Sequence, residues 1–154
     1  MNKILIFRTD RIGDFLISTP IFSSLKRKFI NCKIDIVCSN LNYDYVKSFN
    51  FFNKVLLYPD NFYKKLSFYF SLNNYDHILV LDGKKRSIYN SIFKRSKTKT
   101  LFTPSSSIKK MFKYFFNNVY LIDYNIFKIN LIKNFLLNID CEYKSTDLNF
   151  LLKY

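Results

Sequence analysis

The sequence predicts an α/β fold in which a parallel β-sheet carries helices on both faces. Short apolar runs rich in β-branched residues alternate with longer amphipathic segments along most of the chain. The runs are apolar on both sides, which is typical of central strands in a parallel sheet. A length of 154 residues fits one domain, and a hydrophobic content of 49% is enough to bury a core. The alternation of β and α units therefore indicates a Rossmann-like arrangement.

The strands are predicted from these apolar runs. Lys-Ile-Leu-Ile-Phe at Lys3–Phe7 is the first, and it begins almost at the N-terminus. Polar or turn-forming residues such as Pro59-Asp60 and Asp82-Gly83 end the later runs. The further strands are predicted at Lys33–Cys38 and at residues 54–58, 77–81 and 98–102.

Helices are predicted between and after these strands. Pro20 lies inside the first helical segment, and proline cannot donate a backbone hydrogen bond within a helix. It therefore either kinks one long helix or occupies the first turn of a second helix that begins at Ser18 or Thr19. The helical segments are predicted at residues 14–29, 43–49, 62–72, 87–93, 108–116 and 125–138.

The formal net charge of +14 suggests an anionic partner. Only five of the 25 basic residues are arginines, however, and the chain is also rich in Asn, Ile, Phe and Tyr. These residues share A/T-rich codons with lysine, so drift in base composition explains much of the lysine. We therefore expect no dedicated nucleic-acid binding, although the surface should attract phosphates and anionic lipid headgroups.

The cysteines and the hydropathy pattern indicate a reduced, cytoplasmic protein. Cys32, Cys38 and Cys141 have neither the spacing nor the histidine neighbours of a metal site, and their number is odd. Cys38 lies in an apolar run and is expected to be a core thiol. No apolar run approaches the roughly 18 residues of a membrane-spanning helix. We expect no metal ion and no cofactor.

Two loops are predicted to form a ligand site. In parallel α/β sheets, ligands bind beyond the carboxyl ends of the strands, where residues 8–14 and 82–87 are expected to meet. Asp14 lies at the start of the first helix beside Gly13, where the helix dipole and nearby arginines favour its ionised form. Asp14 is therefore either a general base that accepts a proton from a hydroxyl group or a simple helix cap. Gly13 on the second view only relieves a tight turn.

The first of these loops and its flanks resemble glycosyltransferase family 9, the lipopolysaccharide heptosyltransferases. The resemblance rests on a strand, then Arg8-Thr9-Asp10-Arg11-Ile12-Gly13-Asp14, then a helix that carries Thr19-Pro20. A second, less specific resemblance runs through a Tyr75-Asp76 strand and its Asp82-Gly83 turn to Arg86-Ser87. The resemblance to this family implies the GT-B architecture, in which two Rossmann-like domains face each other across a cleft. The N-terminal domain holds the acceptor and the C-terminal domain holds the nucleotide-sugar donor, typically ADP-heptose.

The resemblance also assigns roles to individual residues. Asp14 becomes the base that deprotonates the acceptor hydroxyl, which then displaces the nucleoside diphosphate with inversion at the anomeric carbon. Basic residues of both loops are expected to contact anionic groups of the acceptor. The expected substrate-binding residues are Arg8, Thr9, Asp10, Arg11, Gly13, Lys84, Lys85, Arg86 and Ser87.

The resemblance further implies how the chain is organised. Residues 1–124 form the acceptor-side domain, and residues 125–154 form a helix and a tail that lead toward a donor-binding domain outside this sequence. A family member is about twice as long, so we expect these residues alone to be inactive. The chain is then a fragment, half of a split enzyme with a separate donor-domain chain, or a retained acceptor-binding domain. The expected partners are a lipid-linked or glycan acceptor, an ADP-heptose-like donor once the second domain is present, and the inner-membrane surface.

Other residues have two possible interpretations. His77 is expected to be structural rather than catalytic, and Asp10 either shapes its loop by pairing with an arginine or touches substrate. Residues 105–107 either cap a helix or bind a phosphate at its N-terminus. Aromatic residues beside lysines 109, 110 and 113 either pack against the sheet or lie on a membrane surface. These aromatic residues are Phe112, Tyr114, Phe115 and Phe116.

Two competing functions also follow from the sequence. A nucleotide- or dinucleotide-binding domain requires a glycine-rich first turn, and this loop contains only Gly13. A non-catalytic basic domain would bind anionic ligands, a membrane surface or nucleic acid through its lysines. Such binding would weaken steeply with salt and would not depend on Asp14.

Overall fold

Six strands and seven helices alternate in the parts of the chain that the structure, a computed structural model, describes: residues 2–72, 74–122 and 128–144. The strands are β1 (Lys3–Phe7), β2 (Lys33–Cys38), β3 (Lys54–Leu57), β4 (His77–Val80), β5 (Thr98–Thr103) and β6 (Asn118–Leu121). The helices are α1 (Ile12–Ile17), α2 (Thr19–Lys28), α3 (Tyr43–Lys47), α4 (Phe62–Ser71), α5 (Lys85–Ile92), α6 (Ser106–Phe112) and α7 (Lys128–Asn138).

All six described strands form one parallel sheet in the order β3-β2-β1-β4-β5-β6. The chain builds outward from β1 to β3, returns to the other side of β1, and then builds outward to β6. A crevice opens at the carboxyl ends of β1 and β4, where the direction of winding reverses. The predicted α/β fold with a Rossmann-like parallel sheet is confirmed.

The sheet is buried on both faces, as the apolar runs predict. Ile4 and Ile6 of β1 pack into one cluster, whereas Leu5 and Phe7 of the same strand pack into a second cluster on the opposite face. The first cluster lies under α1, α2, α3 and α7, and the second lies under α4, α5 and α6. Successive side chains of a strand point to opposite faces, so alternating apolar residues fill both layers.

The first predicted helix is divided in two, as one of the two interpretations of Pro20 requires. The break falls at Ser18, and Pro20 lies in the first turn of α2. Ser18 occupies the N-cap position, but its hydroxyl donates to the Asp14 carbonyl oxygen at 2.9 Å instead of capping α2. The helix also begins at Ile12 rather than at Asp14, which places Gly13 and Asp14 in the first turn of α1.

Other boundaries also differ from the sequence prediction. Helix α5 begins at Lys85, two residues early, so Lys84 takes its N-cap position. Helix α6 ends at Phe112, because the chain then turns to enter β6, an edge strand that the sequence did not predict. Residues 125–127 of the predicted last helix lie outside the described residues. The described helix α7 packs into the core through Ile132, Phe135 and Leu136.

Candidate functional site

A cleft of about 240 Å³ opens at the carboxyl ends of β1, β4 and β5, where the two predicted loops meet. The loop after β1 and the loop after β4 are held together by backbone pairing, including a hydrogen bond from the Leu81 amide to the Phe7 carbonyl at 3.0 Å. Arg8, Asp10, Asp14, Asp82 and Lys84 line the charged side of this cleft. The folding of the sheet thus brings together groups that lie 73 or more residues apart in the sequence.

Asp82 joins the two loops. Its Oδ2 accepts hydrogen bonds from the Thr9 hydroxyl at 2.6 Å and from the Ser87 hydroxyl at 2.7 Å. The Thr9 amide donates to the same oxygen at 3.2 Å, and the Lys84 amide donates to Oδ1 at 3.1 Å. Thr9 and Ser87 are buried, so these contacts bind the loops within the protein. Asp82 therefore helps to fix their relative position.

Lys84 and Arg86 are also directed at the first loop. The Lys84 ammonium donates to the Thr9 carbonyl at 2.7 Å, and the Arg86 guanidinium donates to the Thr9 hydroxyl at 2.9 Å. The Arg86 guanidinium also lies 5.0 Å from the centre of the Tyr58 ring. Both cations, which the sequence assigns to substrate, thus have internal partners. Lys85 is exposed and Lys84 is half-buried at the edge of the cleft.

Arg8 is buried and lies between the two loops. Its guanidinium donates to the Leu81 carbonyl at 2.6 Å and, through Nε, to the Asp14 carbonyl at 3.0 Å. It also pairs with Asp10 at 3.1 Å and lies 3.9 Å from a carboxylate oxygen of Asp14. Arg8 therefore positions both carboxylates. Asn42 supports this arrangement from the N-terminal end of α3, because its amide nitrogen donates to the Arg8 carbonyl at 2.8 Å.

Asp14 lies at the rim of the cleft with 22% of its side chain exposed. Its place in the first turn of α1 lets the helix dipole stabilise a negative charge. Gly13 beside it is exposed, and a Cβ atom built on it would meet no atom within 4 Å. The backbone next to Asp14 is therefore open to an approaching molecule. Arg11 is exposed at the N-cap position of α1.

Asp10 has a carboxyl group whose pKa is raised. Burial raises its pKa from 3.8 to about 6; Arg8 opposes this rise, while Asp14 and Asp82 add to it. Its Oδ2 pairs with Arg8, but Oδ1 is buried and has no hydrogen-bond partner within the described residues. An oxygen in this position has the capacity to accept a hydrogen bond from a hydroxyl group that reaches it. In its protonated form the same carboxyl group can donate one.

Comparison with solved structures relates this architecture to known proteins. The E. coli heptosyltransferase WaaC with ADP superposes with a TM-score of 0.71 at 17% sequence identity, covering 94% of this chain and 49% of that chain. A glycosyl transferase family 9 protein from Veillonella parvula superposes with a TM-score of 0.72 at 13% identity, covering 94% of this chain and 43% of that chain. This chain has the fold of one half of a family 9 glycosyltransferase.

The matched half is the N-terminal part of these proteins, which have the GT-B architecture. The E. coli ADP-heptose lps heptosyltransferase II gives a TM-score of 0.59 at 18% identity over 81% of this chain and 36% of that chain. The 154 residues thus span about half the length of these structural neighbours, or less. In sequence comparisons, no protein-family model and no curated protein matches the chain.

The opposite wall of the cleft in this GT-B half is apolar. Ile17 and Ile21 come from α1 and α2, and Leu131 and Ile132 come from α7. Phe102 and Pro104 lie at the end of β5 and just after it, and Ile122 follows β6. The cleft therefore offers a ligand charged groups on one side and an apolar wall on the other, as small-molecule sites commonly do.

The sequence did not identify several residues of this site. Asp82 was placed in the second predicted loop and its turn but was given no role of its own, and Asn42 and Leu131 were assigned no role. A turn such as Asp82-Gly83 is common in proteins, and nothing in the local pattern shows that its carboxylate accepts hydrogen bonds from Thr9 and Ser87. The glycine after Asp82 is a clearer indication of a tight turn in the sequence. Gly83 has a φ of +59°, a conformation that favours glycine.

The other candidate residues take structural positions. His77 Nδ1 lies 2.6 Å from the Thr98 hydroxyl, and its ring stacks on Phe29, so His77 is structural as expected. The Ser105 hydroxyl accepts from the Ile108 amide at 3.3 Å, which is the cap interpretation of residues 105–107. Phe112 and Phe116 are buried, whereas Tyr114 and Phe115 are exposed. The aromatic cluster thus divides between packing and surface.

Two further findings concern metals and membranes. Within residues 2–72, 74–122 and 128–144, no group of His, Cys, Asp or Glu side chains is arranged to hold a metal ion. No helix among the described residues is both long and apolar enough to cross a bilayer. Cys32, Cys38 and Cys141 are free and buried, and burial raises the pKa of the Cys38 thiol to about 12.

Proposed function

We propose that this chain is the acceptor-binding half of a heptosyltransferase-like glycosyltransferase, which transfers a sugar once a donor-binding domain is present. The proposal rests on Asp14, a carboxylate at the mouth of the cleft. Its backbone carbonyl accepts from Arg8, and the neighbouring surface at Gly13 is open. The fold shared with heptosyltransferases supports the proposal. The similar structures of E. coli WaaC contain ADP and ADP-2-deoxy-2-fluoro heptose.

In the proposed reaction, an acceptor hydroxyl lies between Asp14 and the donor sugar. Asp14 removes the hydroxyl proton as the oxygen forms a bond to the anomeric carbon, while the bond from that carbon to the nucleoside diphosphate breaks. A positioned base of this kind contributes roughly 10²- to 10⁴-fold to a rate. The groups that stabilise the departing diphosphate and bind the nucleotide belong to the donor-binding domain. These residues alone are therefore proposed not to catalyse transfer.

The acceptor is proposed to be a lipid-linked or lipopolysaccharide-core glycan. The apolar wall made by α2, β5 and α7 fits the ring faces of sugars, and Asp10 Oδ1 offers an acceptor for a hydroxyl group. Because Arg8, Lys84 and Arg86 have internal partners, Arg11 and Lys85 are the exposed cations left to attract an anionic acceptor. We propose a cytoplasmic location at the inner face of the membrane.

The experiment first searches the DNA that follows the coding sequence for a donor-binding domain. The chain is then co-expressed with that domain. With ADP-heptose and a phosphorylated inner-core glycan as substrates, Asp14→Asn is expected to lower kcat by about 10²- to 10⁴-fold while acceptor binding by the chain is retained. Asp44→Asn is the matched control, because Asp44 is also acidic and in the first turn of a helix, away from the cleft. Equal activity in Asp14→Asn and wild type would exclude Asp14 as the base.

A further inference from the structure

One face of the sheet carries an exposed surface that the cleft does not use. Helices α4, α5 and α6 lie side by side on it: the Tyr69 hydroxyl donates to the Phe93 carbonyl at 3.2 Å, and the Tyr89 ring lies 5.8 Å from the Phe112 ring. A shallow groove of about 290 Å³ runs between α4 and α5, lined almost entirely by apolar atoms. We name this surface the lysine–aromatic face.

Large apolar side chains stand out from this face into solvent. Phe70 is 72% exposed, Phe93 is 73% exposed and Tyr114 is 82% exposed. Isolated exposed apolar residues are common, but a contiguous group of them indicates an interaction site. The exposed apolar residues of the face are Leu66, Phe70, Tyr89, Phe93, Tyr114 and Phe115.

Positive charge surrounds these side chains without compensation. Helices α4, α5 and α6 contain no Asp or Glu, and each contains two basic residues. The exposed cations of the face are Lys64, Arg95, Lys109, Lys110 and Lys113. Within the described ranges, none of the five forms an ion pair with a carboxylate. The cations are therefore available to an anionic partner.

We propose that the lysine–aromatic face docks on the surface of an anionic lipid bilayer. A bilayer offers phosphates for the lysines and an apolar boundary into which aromatic and aliphatic side chains insert. A nucleic acid would satisfy the charges, but it offers little to Leu66 or to a groove lined by apolar atoms. A second copy of the chain would bring two uncompensated sets of cations together, which is unfavourable in free energy.

The position of the face relative to the cleft is compatible with this docking. The face lies on the side of the sheet, whereas the cleft opens at the carboxyl ends of the strands. Helix α5 connects them, because Lys84 at its N-cap position lines the cleft and Phe93 follows its last turn on the face. A bilayer on the face therefore leaves the cleft open. The docking itself does not depend on transferase activity.

The test measures binding of the full chain to vesicles by sedimentation. Vesicles of phosphatidylethanolamine with phosphatidylglycerol are expected to bind, and vesicles of phosphatidylcholine alone are expected to bind at least about tenfold more weakly. Phe70→Ser with Phe93→Ser is expected to lower the affinity for the anionic vesicles by about tenfold or more. Lys109→Gln with Lys110→Gln is expected to lower it by a similar factor. Leu137→Ser is the matched control, because Leu137 is 68% exposed on α7 at the opposite face.

Circular dichroism first establishes that each variant is folded. Vesicle binding that Phe70→Ser with Phe93→Ser leaves unchanged would overturn the proposal, as would an equal loss in Leu137→Ser. Binding of single-stranded RNA through the same residues, without vesicle binding, would assign the face to nucleic acid instead. Self-association that these two substitutions abolish, again without vesicle binding, would assign it to a second copy of the chain.

Discussion

The cleft and the lysine–aromatic face are both rich in charge, but they hold it in opposite ways. In the cleft, Arg8 is buried and pairs with Asp10, and Asp82 accepts four hydrogen bonds from neighbouring groups. On the face, cations such as Lys109 and Lys113 are exposed and form no ion pair within the described residues, and the Lys113 ammonium lies 4.8 Å from the centre of the exposed Tyr114 ring. The charges of the cleft bind one another and fix its geometry, whereas the charges of the face are exposed to solvent and to binding partners.

This difference separates two kinds of recognition. Buried and mutually paired groups hold fixed positions, which a site needs if it is to orient a reacting hydroxyl. Exposed lysines on flexible stems cannot select one ligand shape, but together they attract any anionic surface, and salt screens that attraction. Substitutions in the cleft should therefore alter stability and pH dependence, while substitutions on the face should alter binding alone.

Between the cleft and the lysine–aromatic face, the larger effect on stability is expected in the cleft, at Gly83, which lies in the loop after β4 and against the end of β5. Its φ of +59° disfavours other residues, and an added Cβ would lie 2.8 Å from the Phe102 carbonyl oxygen. Gly83→Ala is expected to lower the free energy of unfolding by about 2–4 kcal/mol, measured by urea denaturation. Gly13→Ala is the matched control. Gly13 lies in a helix with space for a Cβ atom, so alanine there should raise the free energy of unfolding by about 0.5–1 kcal/mol. Equal effects in the two variants would contradict the structure.

A smaller effect is expected from the ionisation of Asp10. Its pKa of about 6 lies above the 3.8 of an exposed carboxyl, so the native state binds this proton more tightly than the unfolded chain does. Its contribution to stability is thus fully present below about pH 4 and falls as pH rises to about 6, by about 3 kcal/mol at most. Asp10→Asn lacks this change, so its free energy of unfolding relative to wild type should increase through that window. A constant difference between the two proteins would disprove the burial argument.

The smallest effect on stability is expected from the lysine–aromatic face. Phe70→Ser should change the free energy of unfolding by no more than about 0.5 kcal/mol, because Phe70 is 72% exposed and its loss leaves no cavity. Phe22→Ala is the comparison, since Phe22 is fully buried and its removal should cost about 3–5 kcal/mol. Urea denaturation of both variants measures the contrast. A large cost for Phe70→Ser would mean that the face is part of the core.

The sequence predicted the architecture well because the strands of a doubly wound sheet are buried on both sides. Lys3–Phe7 and Lys33–Cys38 were predicted with their correct bounds, since a short run that is apolar on both sides and bounded by polar residues is typical of a central strand. Strand β6 was missed because it is a half-exposed edge of four residues with no strong pattern. The start of α5 was missed because the charges of Lys84, Lys85 and Arg86 resemble a loop.

The site was harder to predict than the fold, because its contacts link distant parts of the chain. The predicted residues Arg8, Asp10, Asp14 and Lys84 do line one cleft. However, the hydrogen bond between Thr9 and Asp82 spans 73 residues, and no local pattern shows which polar groups satisfy each other. The raised pKa of Asp10 likewise comes from burial, which only the assembled sheet produces. The catalytic role of Asp14 remains a prediction.

Helix α7 is synthesised after the other elements that line the cleft. It supplies Leu131 and Ile132 to the apolar wall, and the segment after it is anchored to α2 through the Arg27 guanidinium and the Glu142 carbonyl at 3.1 Å, groups 115 residues apart. A nascent chain therefore has its six described strands and both charged loops outside the ribosome before this wall is complete. Until α7 docks, Phe102 lacks its contact with Phe135, and the exposed apolar edge is a target for chaperones and for aggregation. Among the described residues that line the cleft, those of α7 are translated last.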